Sequence, residues 1–394
     1  MNLSLLYLLQ SPEIQDFLKK ALDARTNLLK CAEILSKKYT PEERKFILDY
    51  LALIPKIQEK FGTAHFLFCD KLALEQSTAK DLSLFKSGFF PQGACVDDLC
   101  CGMGGDSFFL PPGLSVTGVD LSPERVFMYE KNTALMGTPR KAILADACTY
   151  ESAAGFFMID PARRKSLGEN QRNLENLEPS LEQILTISKR YQGGMIKLPP
   201  GYPLQKIPPE AEIIYLGKRS DCRECLVLLG RLVQNPGKIR VALIQDGKTS
   251  ELLSARESFL DYFVNNLPEV PLGKYLMEPI PLLVRSHLFE DFAEKNQLGV
   301  LSEGIAYLTG EIPLHHFGFH NYQVLDSVPL STAAVRAMLK KHDIGEIILK
   351  KRGIEIIPEA EIKRLAVKGR EKAILFYTRL SGEKIAILAR EVKE

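Results

Sequence analysis

The chain has 394 residues, of which 45% are hydrophobic and 25% charged, and 51 Lys and Arg offset 49 Asp and Glu to a formal charge of +2. Two or three soluble globular domains fit that length and composition. No apolar run approaches the ~20 residues a membrane-spanning helix needs, and near-zero net charge names no partner.

The opening, MNLSLLYLLQSPEIQDFLKK, places Leu3, Leu6, Leu9 and Ile14 at helical spacing. No basic residue precedes this stretch and no small-residue cleavage site follows it, so an amphipathic helix is expected there rather than a signal peptide. Eight cysteines scattered along a long chain point to reduced thiols and a cytoplasmic location, not to a disulfide framework. Residues 1–64 read as an N-terminal helical region, in which Thr40-Pro41-Glu42-Glu43 supplies a cap, a first-turn proline and first-turn acids. A further helix is predicted over 72–86.

From Cys95 the pattern changes to short β-rich runs, VDDL, SVTGVD, KAILAD, GFFMID and GMIKL, separated by helical stretches at about 122–135 and 174–191. Such alternation predicts βαβ units and a mainly parallel sheet. The runs EIIYLG, CLVLLGRLV and KIRVALIQ follow closely, with turns at Asn235-Pro236-Gly237 and Asp246-Gly247, and are expected as antiparallel hairpins at the sheet edge. This domain is taken as 65–255. Residues 256–320 form a connecting region with no clear pattern. Residues 321–394 read as a small α+β module: a helix near 331–342, the strand EIILKK, a helix after Pro358, and two strands across Ser381-Gly382. From Ser331 onward 15 Lys and Arg face 9 Asp and Glu.

The stretch VDDLCCGMGGD, residues 96–106, carries the functional signal. A strand running into Gly102-x-Gly104-Gly105 and then a helix would bring backbone amides against a ligand. The Lys-Ser/Thr ending of a phosphate-binding P-loop is missing, and so is the G-x-G-x-x-G spacing of dinucleotide sites. Acids close successive strands: Asp98, then Asp120 at the distance where a carboxylate takes ribose hydroxyls, then Asp146 and Asp160. Four carboxylates at one sheet's carboxyl edge would repel a pyrophosphate. They suit a ligand bearing an ammonium, a sulfonium, a ribose and an adenine amine, which describes S-adenosylmethionine.

Residues Asp98 to Asp106 resemble motif I of class I S-adenosylmethionine-dependent methyltransferases, with Cys100 where many members have glycine. The resemblance implies a Rossmann-like sheet, parallel with an antiparallel edge, between the N-terminal helices and the α+β module. It also implies cofactor contacts from Asp98, Cys100, Cys101, Gly102, Gly104 and Gly105, from Asp120 and Leu121 at the ribose, and from Asp146 and Ala147 at the adenine. IDPARR, MIKLPPG, ILKKRG and ILFYTRLSG are similar to the bacterial members with a C-terminal THUMP-like domain. That group places an N-terminal helix over the cofactor at Gln76 and Ser77, and the tail implies RNA by analogy.

Asp160-Pro161 stands where amino-methyltransferases carry their D-P-P-aromatic motif. There a carboxylate and a backbone carbonyl aim an exocyclic amine at the methyl group. Ala162 and Arg163 replace the second proline and the stacking aromatic, so Arg163, Arg164 and Lys165 are instead candidates for gripping phosphates. Lys197 and Tyr202 are candidate substrate contacts. Cys222-Arg-Glu-Cys225 is a lone C-x-x-C, and no metal is expected. An RNA base nitrogen is the favoured acceptor. A small-molecule or protein acceptor, or a catalytically silent RNA-binding module that keeps the cofactor, stand as alternatives.

Overall fold

The computed structural model describes residues 3–163, 174–263 and 267–392. By their internal packing they divide into two units, one made of Met1–Pro203, Glu210–Glu212 and Cys225–Pro236, the other of Leu204–Pro209, Ile213–Glu224 and Gly237–Glu394.

The first unit begins with helices α1 (Leu3–Leu8), α2 (Pro12–Asp23), α3 (Leu28–Ser36) and α4 (Pro41–Phe61). Helix α4 starts as the sequence predicts, with a reciprocal capping box between Thr40 and Glu43. The predicted 72–86 helix is two helices, α5 (Lys71–Gln76) and α6 (Lys80–Ser87), with Ser77 and Ala79 extended between them. The break puts the Thr78 side chain into the interior, where it is 2% exposed.

Strands β1 (Cys95–Leu99), β2 (Ser115–Asp120), β3 (Lys141–Leu144) and β4 (Phe156–Ile159) follow, with α7 (Pro123–Leu135) between β2 and β3. Strands β5 (Ala162–Arg163) and β6 (Leu177–Glu178) pair with each other. Next come α8 (Leu181–Ser188), β7 (Gly193–Leu198), β8 (Glu212–Lys218) and β9 (Asp221–Gly230). Helix α8 is shorter than the predicted 174–191 because Pro179 disfavours a helical residue before it and Ser180 caps the chain there.

Within the first unit the sheet order is β9-β7-β4-β1-β2-β3. The pairs β1–β2, β1–β4, β2–β3 and β4–β7 are parallel, and β9 runs antiparallel to β7 at the edge. This is the predicted mainly parallel sheet, and its carboxyl edge gathers the residues that end β1, β2, β4 and β7. The N-terminal helices share one core with Met103 and Phe108 of the glycine loop and Met128 of α7. Buried Asn132 ties the layers: its side chain accepts from the Phe68 amide and donates to the carbonyls of Phe68 and Met103.

The second unit holds β10 (Ile239–Gln245) and β11 (Lys248–Leu253), an antiparallel hairpin across Asp246-Gly247 as expected. The expected antiparallel hairpin across Asn235-Pro236-Gly237 is corrected: β10 pairs with β8, and in parallel. The chain that links them, which includes β9, is long enough for a crossover, whereas a tight turn would have forced a hairpin. Then come β12 (Tyr275–Pro279), α9 (Pro281–Ser286), α10 (Phe289–Lys295), β13 (Gly299–Val300), β14 (Leu308–Gly310) and β15 (Phe319–Pro329). The chain finishes with α11 (Thr332–Lys341), β16 (Ile344–Lys351), α12 (Pro358–Leu365), β17 (Glu371–Leu380) and β18 (Glu383–Glu391). One seven-stranded sheet, β13-β14-β12-β15-β18-β17-β16, takes in strands from 275–310 as well as from the tail. Both faces of β17 are covered. Ala373, Leu375 and Tyr377 belong to one apolar cluster, Ile374 and Phe376 to another. A strand buried on both sides reads as a continuous apolar run, which is how ILFY reads.

Candidate active site

The glycine loop follows β1, but no helix follows the loop. Residues 102–110 form successive turns, in which the amides of Ser107 and Phe108 both donate to the Gly104 carbonyl. The expected helix N-terminus is therefore corrected: the loop runs on into turns. Cys100, Gly102 and Gly104 adopt left-handed backbone, with φ of 60°, 56° and 97°. At Gly104 a β-carbon would stand 2.6 Å from the Phe108 ring, so both φ and packing demand glycine. At Gly102 a β-carbon would meet only open space. Gly105 has a different reason: a β-carbon there would press on Ser77 and the Thr78 backbone at 3.0 Å.

Asp120, half-buried at the end of β2, is fixed by two backbone amides. Its Oδ2 accepts from Gly102 at 3.0 Å and its Oδ1 from Ser122 at 3.0 Å. Each carboxylate oxygen keeps a second lone pair for a ligand hydroxyl. Beside it Leu121 is 65% exposed, and Ile143 and Leu144 on β3 are also exposed. Asp146 is exposed and accepts from the Cys148 amide, while Ala147 is buried. Exposed apolar side chains near a positioned carboxylate and a glycine loop fit the adenosine portion of S-adenosylmethionine. The residues present therefore suit the cofactor.

Asp98 sits beneath the loop, 3% exposed, and its Oδ2 accepts from the Ser107 hydroxyl at 2.6 Å, which in turn accepts from Tyr129. Burial, helped by the charge of Asp106, pushes the Asp98 carboxyl well above the usual range. Asp98 thus anchors the loop from below. Burial likewise raises the Cys100 and Cys101 thiols, and the charges of Asp98 and Asp120 act on both. Asp160 also acts on Cys100, so the end of β4 lies within electrostatic range of the loop.

Asp160 directly follows β4 and Lys197 is the penultimate residue of the adjacent strand β7, and the Lys197 ammonium lies 2.6 Å from Asp160 Oδ2. Lys197 also donates to Thr78 Oγ1 at 3.1 Å. The Thr78 hydroxyl accepts from Lys86 at 3.2 Å and donates to Asp106 Oδ2 at 2.9 Å, and Lys86 and Asp106 are themselves an ion pair. Two acceptances and one donation use the whole capacity of a hydroxyl. Sequence reasoning singled out Gln76 and Ser77 and missed their neighbour. Gln76 is exposed at the end of α5, and the Ser77 hydroxyl turns back to the Leu74 carbonyl. Lys86 was missed too. A lysine on a predicted helix reads as solvated, and the only available signal was its place on the apolar face beside Leu82.

Pro161 is buried after Asp160, and Arg163 lies in β5. Arg164 and Lys165 lie outside the described residues. Tyr202, expected as a stacking surface, is 5% exposed and has no face to offer, so that expectation is corrected. Phe376 and Tyr377, the aromatics nearest the basic tail segments, are buried as well because β17 is covered on both sides. Much of the tail's positive charge has internal partners: Lys350 contacts Glu278 and Tyr322, Arg352 the Ala306 carbonyl, Arg370 Asp343, and Lys372 Glu346. Cys222 and Cys225 both lie on β9, and none of the eight cysteines is in a disulfide. His316 Nδ1 accepts from the Gly318 amide. Among the described residues no group of His, Cys, Asp and Glu could hold a metal ion, and no helix is long and apolar enough to cross a membrane.

Comparison with known proteins bears on these features. The family model for THUMP domain-like sequences matches residues 320–391. An uncharacterized S-adenosylmethionine-dependent methyltransferase of Mycobacterium tuberculosis, represented in two strains, is 26% identical over 328 residues, which span 82% of this chain and 87% of that protein. The crystal structure of a putative methyltransferase from Porphyromonas gingivalis W83 superposes with a TM-score of 0.73 at 19% identity, covering 97% of this chain and 98% of that one. Motif, fold and relatives agree: residues 320–391 match a THUMP-like domain, and the chain over most of its length is similar to S-adenosylmethionine-dependent methyltransferases.

Proposed function

We propose that this methyltransferase transfers its methyl group to a base nitrogen of RNA in the cytoplasm. The observation that carries this reading is the partly exposed Asp160 carboxylate, followed by buried Pro161, at a strand end within electrostatic range of the cofactor loop. The cofactor supplies an electrophilic methyl group on sulfur. Asp120 would hold the ribose hydroxyls, with Leu121, Asp146 and Ala147 at the adenine. The loop from Cys100 to Gly105 would pack against the methionine portion. Asp160 and the neighbouring backbone carbonyl would accept hydrogen bonds from the acceptor base and orient its nitrogen, a gain of several kcal/mol through proximity and alignment. The resemblance of the tail to RNA-binding THUMP domains supports RNA as the acceptor, as does the run Arg163-Arg164-Lys165 directly after the proposed acceptor residues.

Asp120→Ala is expected to weaken S-adenosylhomocysteine binding by about tenfold or more, the worth of one or two charge-assisted hydrogen bonds. Calorimetry checks it, and an unchanged titration would remove Asp120 from the ribose. The acceptor class is tested by incubating the purified chain with methyl-labelled S-adenosylmethionine and a lysate of cells lacking it, then separating RNA, protein and metabolites. Label in RNA is expected. Label confined to protein or small molecules overturns the RNA reading.

A further inference from the structure

The Asp160–Lys197 pair bears on which nitrogen is methylated, a question that rests on the RNA reading above. An exocyclic amine is neutral before attack and gains positive charge as the new bond forms. An ammonium held 2.6 Å from the accepting carboxylate opposes that charge. Amine-directed sites also sandwich the flipped base against an aromatic, and Arg163 stands at that position here. A ring N–H flanked by a carbonyl, the lactam of guanine or uracil, has the opposite electrostatics. Its nitrogen has no available lone pair until the proton leaves. As it leaves, negative charge gathers on the adjacent carbonyl oxygen. A carboxylate to take the proton and a cation to hold the oxygen, side by side, is the arrangement that reaction needs.

The pair is also braced in a way a surface ion pair is not. The Asp160 and Lys197 side chains are 35% and 18% exposed, so each is partly open to solvent. Lys197 is tied to Thr78 Oγ1, and Thr78 to Lys86 and Asp106. Among the described residues, the charged groups around the pair include Lys86 from α6, Asp106 from the loop and Asp98 from β1, with Asp98 pushed by burial toward its neutral form.

The geometry points to a ring lactam nitrogen of guanine or uracil as the acceptor, with Asp160 as its base and Lys197 as the cation on its carbonyl oxygen. The lactam N–H bond breaks and its proton passes to an Asp160 oxygen. The ring nitrogen forms the new N–C bond, and the methyl–sulfur bond breaks with its electron pair left on sulfur, turning the sulfonium into a neutral thioether. Lys197 donates to the carbonyl oxygen throughout and keeps its proton.

The test uses the full chain, methyl-labelled S-adenosylmethionine and total RNA from cells lacking the protein, digested to nucleosides. Label is expected in guanosine or uridine methylated on the ring nitrogen beside the carbonyl. Label on the amino group of adenosine or cytidine, or on ribose, overturns this inference and leaves RNA methylation standing. Label in no RNA fraction removes the RNA reading itself, and this inference with it. Lys197→Met is expected to slow transfer about a hundredfold at neutral pH, in the range of one general-catalytic group. The deficit should narrow as pH rises and the lactam begins to ionise unaided, and Lys197→Arg should retain more activity than Lys197→Met. S-adenosylhomocysteine affinity, read by calorimetry, should change less than about twofold in either variant. A Lys197→Met deficit that is independent of pH overturns the cation's role. Should that variant fail to fold, the Lys197→Arg profile and the nucleoside identity decide.

Discussion

Asp160→Asn is expected to lower the single-turnover rate of methyl transfer by about 10²–10⁴-fold, the usual contribution of a positioned general base. Binding of S-adenosylhomocysteine should stay close to wild type. Asparagine keeps the shape and one acceptor oxygen of aspartate, so an acceptor that merely needs orienting would lose little. An acceptor that must give up a proton would lose nearly everything. Stability should fall by no more than about 1 kcal/mol, because the Asp160 side chain is 35% exposed and partly exposed ion pairs are worth little. Rapid-quench measurement of transfer alongside calorimetry of the bound product separates the two effects. Undiminished transfer would mean that the acceptor gives no proton to Asp160.

Lys86→Met is expected to destabilise the first unit by about 3–5 kcal/mol at neutral pH, the cost of leaving a buried charge without its partner. Lys86 is 3% exposed, and its ammonium serves both Asp106 and Thr78. Burial by itself would raise the Asp106 carboxyl, but Lys86 and Lys197 more than offset it and hold the group below the ordinary range. A depressed folded pKa gives stability that is present above the unfolded value and is lost as pH falls through the folded value. In Lys86→Met the balance reverses, since burial then dominates and Asp106 favours its protonated form. The variant should therefore sit furthest below wild type near pH 7 and approach it as the solution is acidified past the carboxylate range. Urea unfolding between pH 3 and pH 8 checks this. A difference below about 1 kcal/mol at all pH values would mean that water, not Lys86, compensates Asp106.

These two expectations have different origins in the chain. Asp160 was legible in the sequence because an acid closing an apolar β run, followed by proline, is a local pattern. The same holds for Asp120, for the left-handed glycines of the loop and for the cap at Thr40. Their identities follow from backbone dihedrals, strand period and helix-end hydrogen bonding, all of which act over a few residues. The mainly parallel sheet needed only the right alternation of elements, and the antiparallel edge only closely spaced strands late in the domain.

Other features were decided by which distant segments come together. Thr78 meets Lys197 across 119 residues of sequence and Asp106 across 28. Those contacts unwind a segment whose own propensity is helical, because a fully satisfied buried hydroxyl outweighs the few tenths of a kcal/mol that propensity supplies. Asp98 reads like its sister acids, yet the loop folds over it and makes it an anchor rather than a rim. Tyr202, Phe376 and Tyr377 have the composition of stacking platforms, and the packing around them takes that role away. The chain by itself determined that carboxylates would close successive strands of one sheet. Only the tertiary structure decided that one of those carboxylates lies beside an ammonium, since neighbours on adjacent strands are set by sheet order and not by distance along the sequence.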